Sequence, residues 1–173
     1  MNNFEFANPV KVVFGKGTIA RLSALIPAGS RVLMVYGGGS IKKNGIYDQV
    51  TNALNGFEVT EFSGIEANPH YETCMKAVDV VKEKNIDFLL AVGGGSVIDA
   101  TKFIAAAYYY EGEPWDILSK GGVIKKALPL GVVLTLSATG SEMNERSVIS
   151  RAETREKLNF ASPLVFPQFA ILD

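Results

Sequence analysis

Short unbroken runs of apolar residues alternate along much of this chain with longer stretches in which apolar positions recur every three or four residues. The first pattern marks strands buried on both faces of a parallel sheet, and the second marks helices with one apolar side. Between residues 31 and 107 the order predicted is a strand over 32–36, a helix over 45–54, a strand over 57–62, a helix over 71–84, a strand over 88–92 and a helix from 97 to 107. Such alternation calls for a doubly wound, mostly parallel α/β sheet with helices on both faces. Outside this block, strands are expected over 10–14, 128–136 and 166–173. A loop with a short helical turn at 115–118 precedes the second of these, and two short runs at 147–150 and 157–160 flank a charged turn and predict a β-hairpin.

The strand ends carry the candidate chemistry. The run over 88–92 enters Gly93-Gly94-Gly95-Ser96 and then a helix. A turn of this kind aims backbone N–H groups and the positive end of a helix dipole at one spot, where residues without a Cβ let a phosphate approach. Asp99 and Lys102, one turn apart on the following helix, can face the same ligand. The strand over 32–36 ends in Gly37-Gly38-Gly39-Ser40, a second anion-ready loop with Lys42 and Lys43 beyond it. Ser137-Ala138-Thr139-Gly140-Ser141-Glu142 closes a third strand, where hydroxyls and amides suit a ribose or phosphate and equally suit a plain turn. Gly15-Lys16-Gly17-Thr18-Ile19-Ala20 has the spacing of a dinucleotide fingerprint, but that pattern wants an acidic residue about 20 positions on at the end of the next strand. None stands there, so Gly15 and Gly17 read as turn formers.

Composition narrows the classes of partner. Lys plus Arg (17) nearly balance Asp plus Glu (18) in 173 residues, and basic residues cluster no further than the pairs Lys42-Lys43 and Lys125-Lys126, which argues against nucleic acid and anionic membrane. No apolar run approaches the roughly 20 residues that span a bilayer, and the first residues lack a basic-then-apolar leader, so the expected location is cytoplasmic. The single cysteine, Cys74, reads as core and the single histidine, His70, as a surface or helix-capping residue. Residues 1–173 are expected to form one domain. The last strand, ending at Asp173 without an element to cover it, reads as the first half of something longer.

Taken together, Phe14-Gly15-Lys16-Gly17, Tyr36-Gly37-Gly38-Gly39-Ser40, Gly64-Ile65-Glu66-Ala67-Asn68-Pro69, Ala91-Val92-Gly93-Gly94-Gly95-Ser96-Val97-Ile98-Asp99, Leu134-Thr135-Leu136-Ser137-Ala138-Thr139-Gly140-Ser141-Glu142 and Phe169-Ala170-Ile171-Leu172-Asp173 resemble the iron-containing alcohol dehydrogenase family, in its NADPH-dependent aldehyde reductase and butanol dehydrogenase branch. The resemblance implies a Rossmann-like dinucleotide-binding domain that precedes an all-helical domain holding the catalytic metal, with a small alcohol or aldehyde bound between them. It further implies that Gly94, Gly95 and Ser96 hold the pyrophosphate and that Asp99 lies beside the nicotinamide. Thr135, Thr139 and Ser141 would line the coenzyme groove, and Lys157 would reach the nicotinamide ribose. An aspartate that bonds the adenosine ribose in the NAD-dependent branch falls here on Gly38. Its loss, with the Gly39 and Ser40 amides, the Ser40 hydroxyl and Lys43 nearby, favours NADP(H) over NAD(H).

The family's metal, iron or zinc, is held by an aspartate and three histidines of the helical domain. One histidine cannot supply that site, and Asp173 lies ahead of the metal aspartate. The resemblance therefore points to the coenzyme domain of a metal-dependent dehydrogenase, inactive by itself. A non-catalytic nucleotide-binding or interaction module is the alternative, and a relative of dehydroquinate synthase or glycerol dehydrogenase fits the Gly37–Ser40 and Ser137–Glu142 loops poorly. Apolar residues among Leu158, Phe160, Leu164 and Phe166 are expected near the surface, which favours a homodimer or larger assembly.

Overall fold

The computed structural model describes Asn3, Glu5 and residues 7–173. Strands β1 (Lys11–Phe14), β2 (Arg31–Tyr36), β3 (Glu58–Phe62), β4 (Phe88–Gly93), β5 (Leu130–Leu134) and the last, β8 (Phe169–Leu172), form one sheet in the order β1-β8-β5-β4-β2-β3. Every pairing in it is parallel. Between β5 and β8 the chain makes a separate antiparallel hairpin, β6 (Arg146–Arg151) and β7 (Glu156–Ala161). Helices α1 (Leu22–Leu25), α2 (Ser40–Lys43), α3 (Ile46–Ala53), α4 (Tyr71–Glu83), α5 (Gly95–Ala107) and α6 (Asp116–Ser119) complete the α/β architecture.

The unbroken apolar runs work as expected because the sheet is covered twice. Alternate residues of β2 and β4, Leu33, Val35, Leu89 and Ala91, pack beneath α4 and α5 with Val78, Val81, Phe103 and Ile104. Their neighbours Val32, Met34, Phe88, Leu90 and Val92 pack on the opposite face with Leu22, Ile26, Val50 and Leu54. Gly131 of β5 faces Phe169 of β8, and a Cβ there would come within 2.2 Å of the phenyl ring. That ring stacks on Phe88, centroids 6.1 Å apart. Cys74 is fully buried, and burial pushes its thiol up.

Several boundaries differ from expectation: the last strand, expected over 166–173, is only Phe169–Leu172, because Pro167 has no N–H for the ladder. The strand predicted over 128–136 is only Leu130–Leu134: Pro129 has no N–H for the ladder, and Leu136 has left the sheet and is 68% exposed. Helix α5 starts at Gly95, two residues early, and the short α2 was missed because four residues with one apolar member show no helical period. The expected exposed apolar set holds for Leu164, but Phe160 is buried against Phe103 because the hairpin folds back onto α5. The exposed large apolar residues include Phe14 (81%) and Leu136, both at carboxyl ends of strands. No helix among the described residues is long and apolar enough to cross a membrane.

The order of strands fixes where a ligand can sit. From β2 the chain moves outward to β3, whereas from β4 it moves the other way to β5. The helices that follow β2 and β4 accordingly cover opposite faces, which opens a crevice between the carboxyl ends of these paired strands.

Candidate functional site

The two glycine turns read separately along the chain meet at this crevice. Tyr36 pairs with Val92, the last residues before each turn. A Cβ on Gly37 would lie 3.8 Å from Val97 on the first turn of α5 and 3.3 Å from the Ile65 carbonyl. The first turn of α5 leaves the amides of Gly95 and Ser96 without partners inside the helix. Thirteen residues long, α5 contributes its positive end at the same spot.

The third loop closes on that turn. Thr135 donates its amide to the Gly93 carbonyl at 3.1 Å. A Cβ on Gly95 would stand 2.4 Å from Thr139 Oγ1, and one on Gly94 would stand 3.6 Å from Leu136 Cβ. Glycine at 95 is thus required by the approach of the neighbouring loop, not by its backbone angles. The hairpin reaches the same place by a relay: Lys157 Nζ donates to Asn68 Oδ1 at 2.6 Å, and the Asn68 amide donates to Ser96 Oγ at 3.4 Å. Asn68, given in the sequence only as part of the Gly64–Pro69 motif with no role assigned to it, sits in the left-handed region at φ 61°, which asparagine tolerates better than most residues. Gly94, Gly95, Ser96, Thr135, Thr139 and Lys157 are therefore gathered around one turn.

At the far side, Gly37, Gly38 and Gly39 rim a hollow of about 360 Å³ completed by Tyr36, Lys42, Ser63 and Gly64; Ser40, the first residue of α2, does not line it. Sequence reading looked to Lys43 here, but Lys42 lines the hollow. Its Nζ lies 4.6 Å from the Tyr47 ring centroid, 5.4 Å from that of Tyr36 and 3.9 Å from Glu61 Oε2. Glu61 in turn accepts from the Tyr36 and Tyr47 hydroxyls at 2.7 and 2.6 Å. Burial pushes the Glu61 carboxyl up, but the two phenol donors and Lys42 outweigh it and hold it below the usual range. This cluster was missed because its members come from β2, α2, α3 and β3, and no local spacing links them.

Asp99 and Lys102 do not share a ligand as expected. Lys102 is fully buried and turns inward, whereas Asp99 is partly exposed. Asp99 accepts from the Ser141 hydroxyl at 2.6 Å and from the Val148 amide at 3.0 Å. Burial pushes its carboxyl up, against the pull of Ser141, Val148, Lys102 and Lys157. Ser141 is itself 3% exposed, so its hydroxyl serves Asp99 and Lys102.

The turn after β1 is occupied from within. Asp173 accepts from the Gly17 and Ile19 amides at 2.8 and 2.9 Å, which agrees with a turn-forming role for Gly15 and Gly17. His70 stands at the start of α4 with Nδ1 3.9 Å from Glu66 Oε1. Among the described residues no three His, Cys, Asp or Glu side chains gather as a metal site.

Comparison with known proteins places these features in a lineage. The model of the family described as iron-containing alcohol dehydrogenase matches residues 9–173. Over its whole length the chain is 58% identical to the probable NADH-dependent butanol dehydrogenase 1 of Bacillus subtilis and 57% identical to the NADPH-dependent aldehyde reductase YqhD of Escherichia coli. It spans 46% of each, about half the length of the curated relatives it matches. The solved structure of Escherichia coli YqhD superposes with a TM-score of 0.95 at 57% identity, covering 99% of this chain and 45% of that one. NADH-dependent butanol dehydrogenase A of Thermotoga maritima gives 0.94 at 48% identity, covering 100% and 44%.

Proposed function

We propose that this chain, which belongs to the iron-containing alcohol dehydrogenase family, is the coenzyme-binding part of an oxidoreductase that moves hydride between a nicotinamide dinucleotide and a primary alcohol or its aldehyde. The observation that carries this reading is the meeting of three strand-end loops, 37–40, 93–96 and 135–141, at the one crevice where the sheet reverses its order. The coenzyme supplies the hydride. The chain's own residues bind and orient it: the Gly94–Ser96 turn for the pyrophosphate, Gly38 to Ser40 for the adenosine ribose, Thr135 and Thr139 along the groove, and Asp99 and Lys157 toward the nicotinamide.

NADP(H) is the favoured coenzyme. No carboxylate stands at Gly38 to repel a 2′-phosphate, and Lys42 overlooks the hollow beside it. The names of the relatives carry both coenzymes, so this preference rests on the residues. The family's metal finds no fitting set of ligands among the described residues. The chain by itself is therefore expected to reduce no aldehyde, the cytoplasmic enzyme of the relatives' length doing so. A module that binds nucleotide without chemistry is the second reading. Exposed Phe14 and Leu136 support association with a further surface, as in a homodimer.

Calorimetric titration of the purified chain with NADPH and NADH tests the proposal. Binding of either coenzyme, lost when Gly94 is replaced by aspartate, is the expected result, with NADPH the tighter. Failure of both to bind would overturn it. Metal-stimulated aldehyde reduction by the 173-residue chain would overturn its expected inactivity.

A further inference from the structure

We propose that Lys102 is a positioning residue of the coenzyme site: its sealed ammonium group fixes the 141–146 loop and, through it, the Asp99–Ser141 pair and the hairpin that carries Lys157. The inference rests on the coenzyme reading above and assigns a task to the charged residue of the glycine-turn helix that is sealed in the core.

An ammonium group has three N–H donors, and here it meets five oxygens. They are the carbonyls of Ser141 (2.6 Å), Asn144 (2.7 Å) and Arg146 (2.8 Å), with Ser141 Oγ (2.9 Å) and Asn144 Oδ1 (3.0 Å). None is a carboxylate oxygen. A buried charge without a direct counter-ion is costly, and an apolar side chain would fill the space at less cost. What the charge provides is convergence. Three carbonyls within six residues, from the helical turn Ser141–Met143 to the first residue of β6, point at one nitrogen and tie this segment to α5. Ser141 Oγ accepts from Lys102 and donates to Asp99 Oδ1, which sets the orientation of the Asp99 carboxylate. The Ser147 hydroxyl and the Val148 amide, just beyond the loop, hold Asp99 from the other side. Strand β6 pairs with β7, and Lys157 on β7 reaches Asn68 beside Ser96.

Titration separates this role from plain structural support. Burial pushes the Lys102 ammonium down to about 8 from 10.5, against the pull of the charged groups that face it, Asp99 on its own helix and Glu142 and Glu145 on the loop. Because the folded value lies below the unfolded one, the contribution of this group to stability rises as pH climbs from about 8 toward 10.5. Coenzyme binding, which needs the ammonium, should move in the opposite direction.

The test is titration of the unmodified chain, Lys102→Arg and Lys102→Met with NADPH and with NADH between pH 7 and pH 9. In the unmodified chain Kd for both coenzymes should rise about tenfold over that range, as expected when only the protonated form binds. Lys102→Arg, which stays charged, should flatten the profile and bind within about threefold of the unmodified chain at pH 7. Lys102→Met should weaken binding at least about tenfold at pH 7 and also flatten it. Should Lys102→Met not fold, the slope of the unmodified chain decides alone. A chain that binds coenzyme with a flat profile overturns the role of Lys102 and leaves the coenzyme reading standing. A chain that binds neither coenzyme at either pH overturns both.

Discussion

Two glycine turns in this chain follow parallel strands and lead into helical turns, yet one is filled by the protein itself and the other is the proposed seat of the coenzyme. After β1, the amides of Gly17 and Ile19 close on the Asp173 carboxylate. After β4, among the described residues no carboxylate is bonded to the Gly94–Ser96 amides, and the neighbours that crowd the turn are the hydroxyl and apolar groups of Thr139 and Leu136. The glycines also differ in purpose. Gly17 adopts φ 78° with open space where a Cβ would be, whereas Gly95 is helical and packed against Thr139. A glycine-rich turn thus bares amides for an anion, and the rest of the fold decides whether one of the chain's own side chains takes them.

The sharpest way to break this contrast is Gly95→Ala. Its new methyl would stand 2.4 Å from Thr139 Oγ1 and push the 135–141 loop away, so coenzyme affinity should fall at least about tenfold, near 1.4 kcal/mol, and the thermal midpoint should fall with it; calorimetry and thermal melts read the two. Asp173→Ala should lower stability alone, by about 1 kcal/mol, since the two charge-assisted bonds are exposed and part-buried. Its coenzyme affinity should stay the same in the same titration. The smallest effect belongs to the rim. Lys42→Met should reduce the NADPH-over-NADH affinity ratio by about threefold, the size of an exposed ion pair, and a ratio unchanged by the substitution would remove Lys42 from coenzyme choice.

Much of the architecture was legible along the chain because it is written locally. Unbroken apolar runs gave each buried strand, helical periods gave α3, α4 and α5, and the charged turn between alternating runs gave the hairpin. The glycine turns were legible too, since glycine and serine after a buried strand are visible without a fold. Asp99 and Lys102 show where that ends. Their spacing of three placed both at the crevice, but a helix beginning at Gly95 turns Lys102 into the core, where only the returning 141–146 loop explains it. The Lys42–Glu61–Tyr36–Tyr47 cluster was invisible for the same reason, its members being drawn from four elements.

By itself the sequence determined the alternation of strands and helices, the places where backbone amides are bared, and a family likeness spread over six motifs. Tertiary structure alone decided which bared amides the chain would satisfy from within, which charged side chain would be sealed inside, and that the turns after β2 and β4 would stand side by side. Period and turn propensity act over a few residues, whereas Asp173 at Gly17 and Ser141 at Lys102 are partners brought together from 156 and 39 positions away. Only the order of strands in the sheet puts such residues within reach of a hydrogen bond.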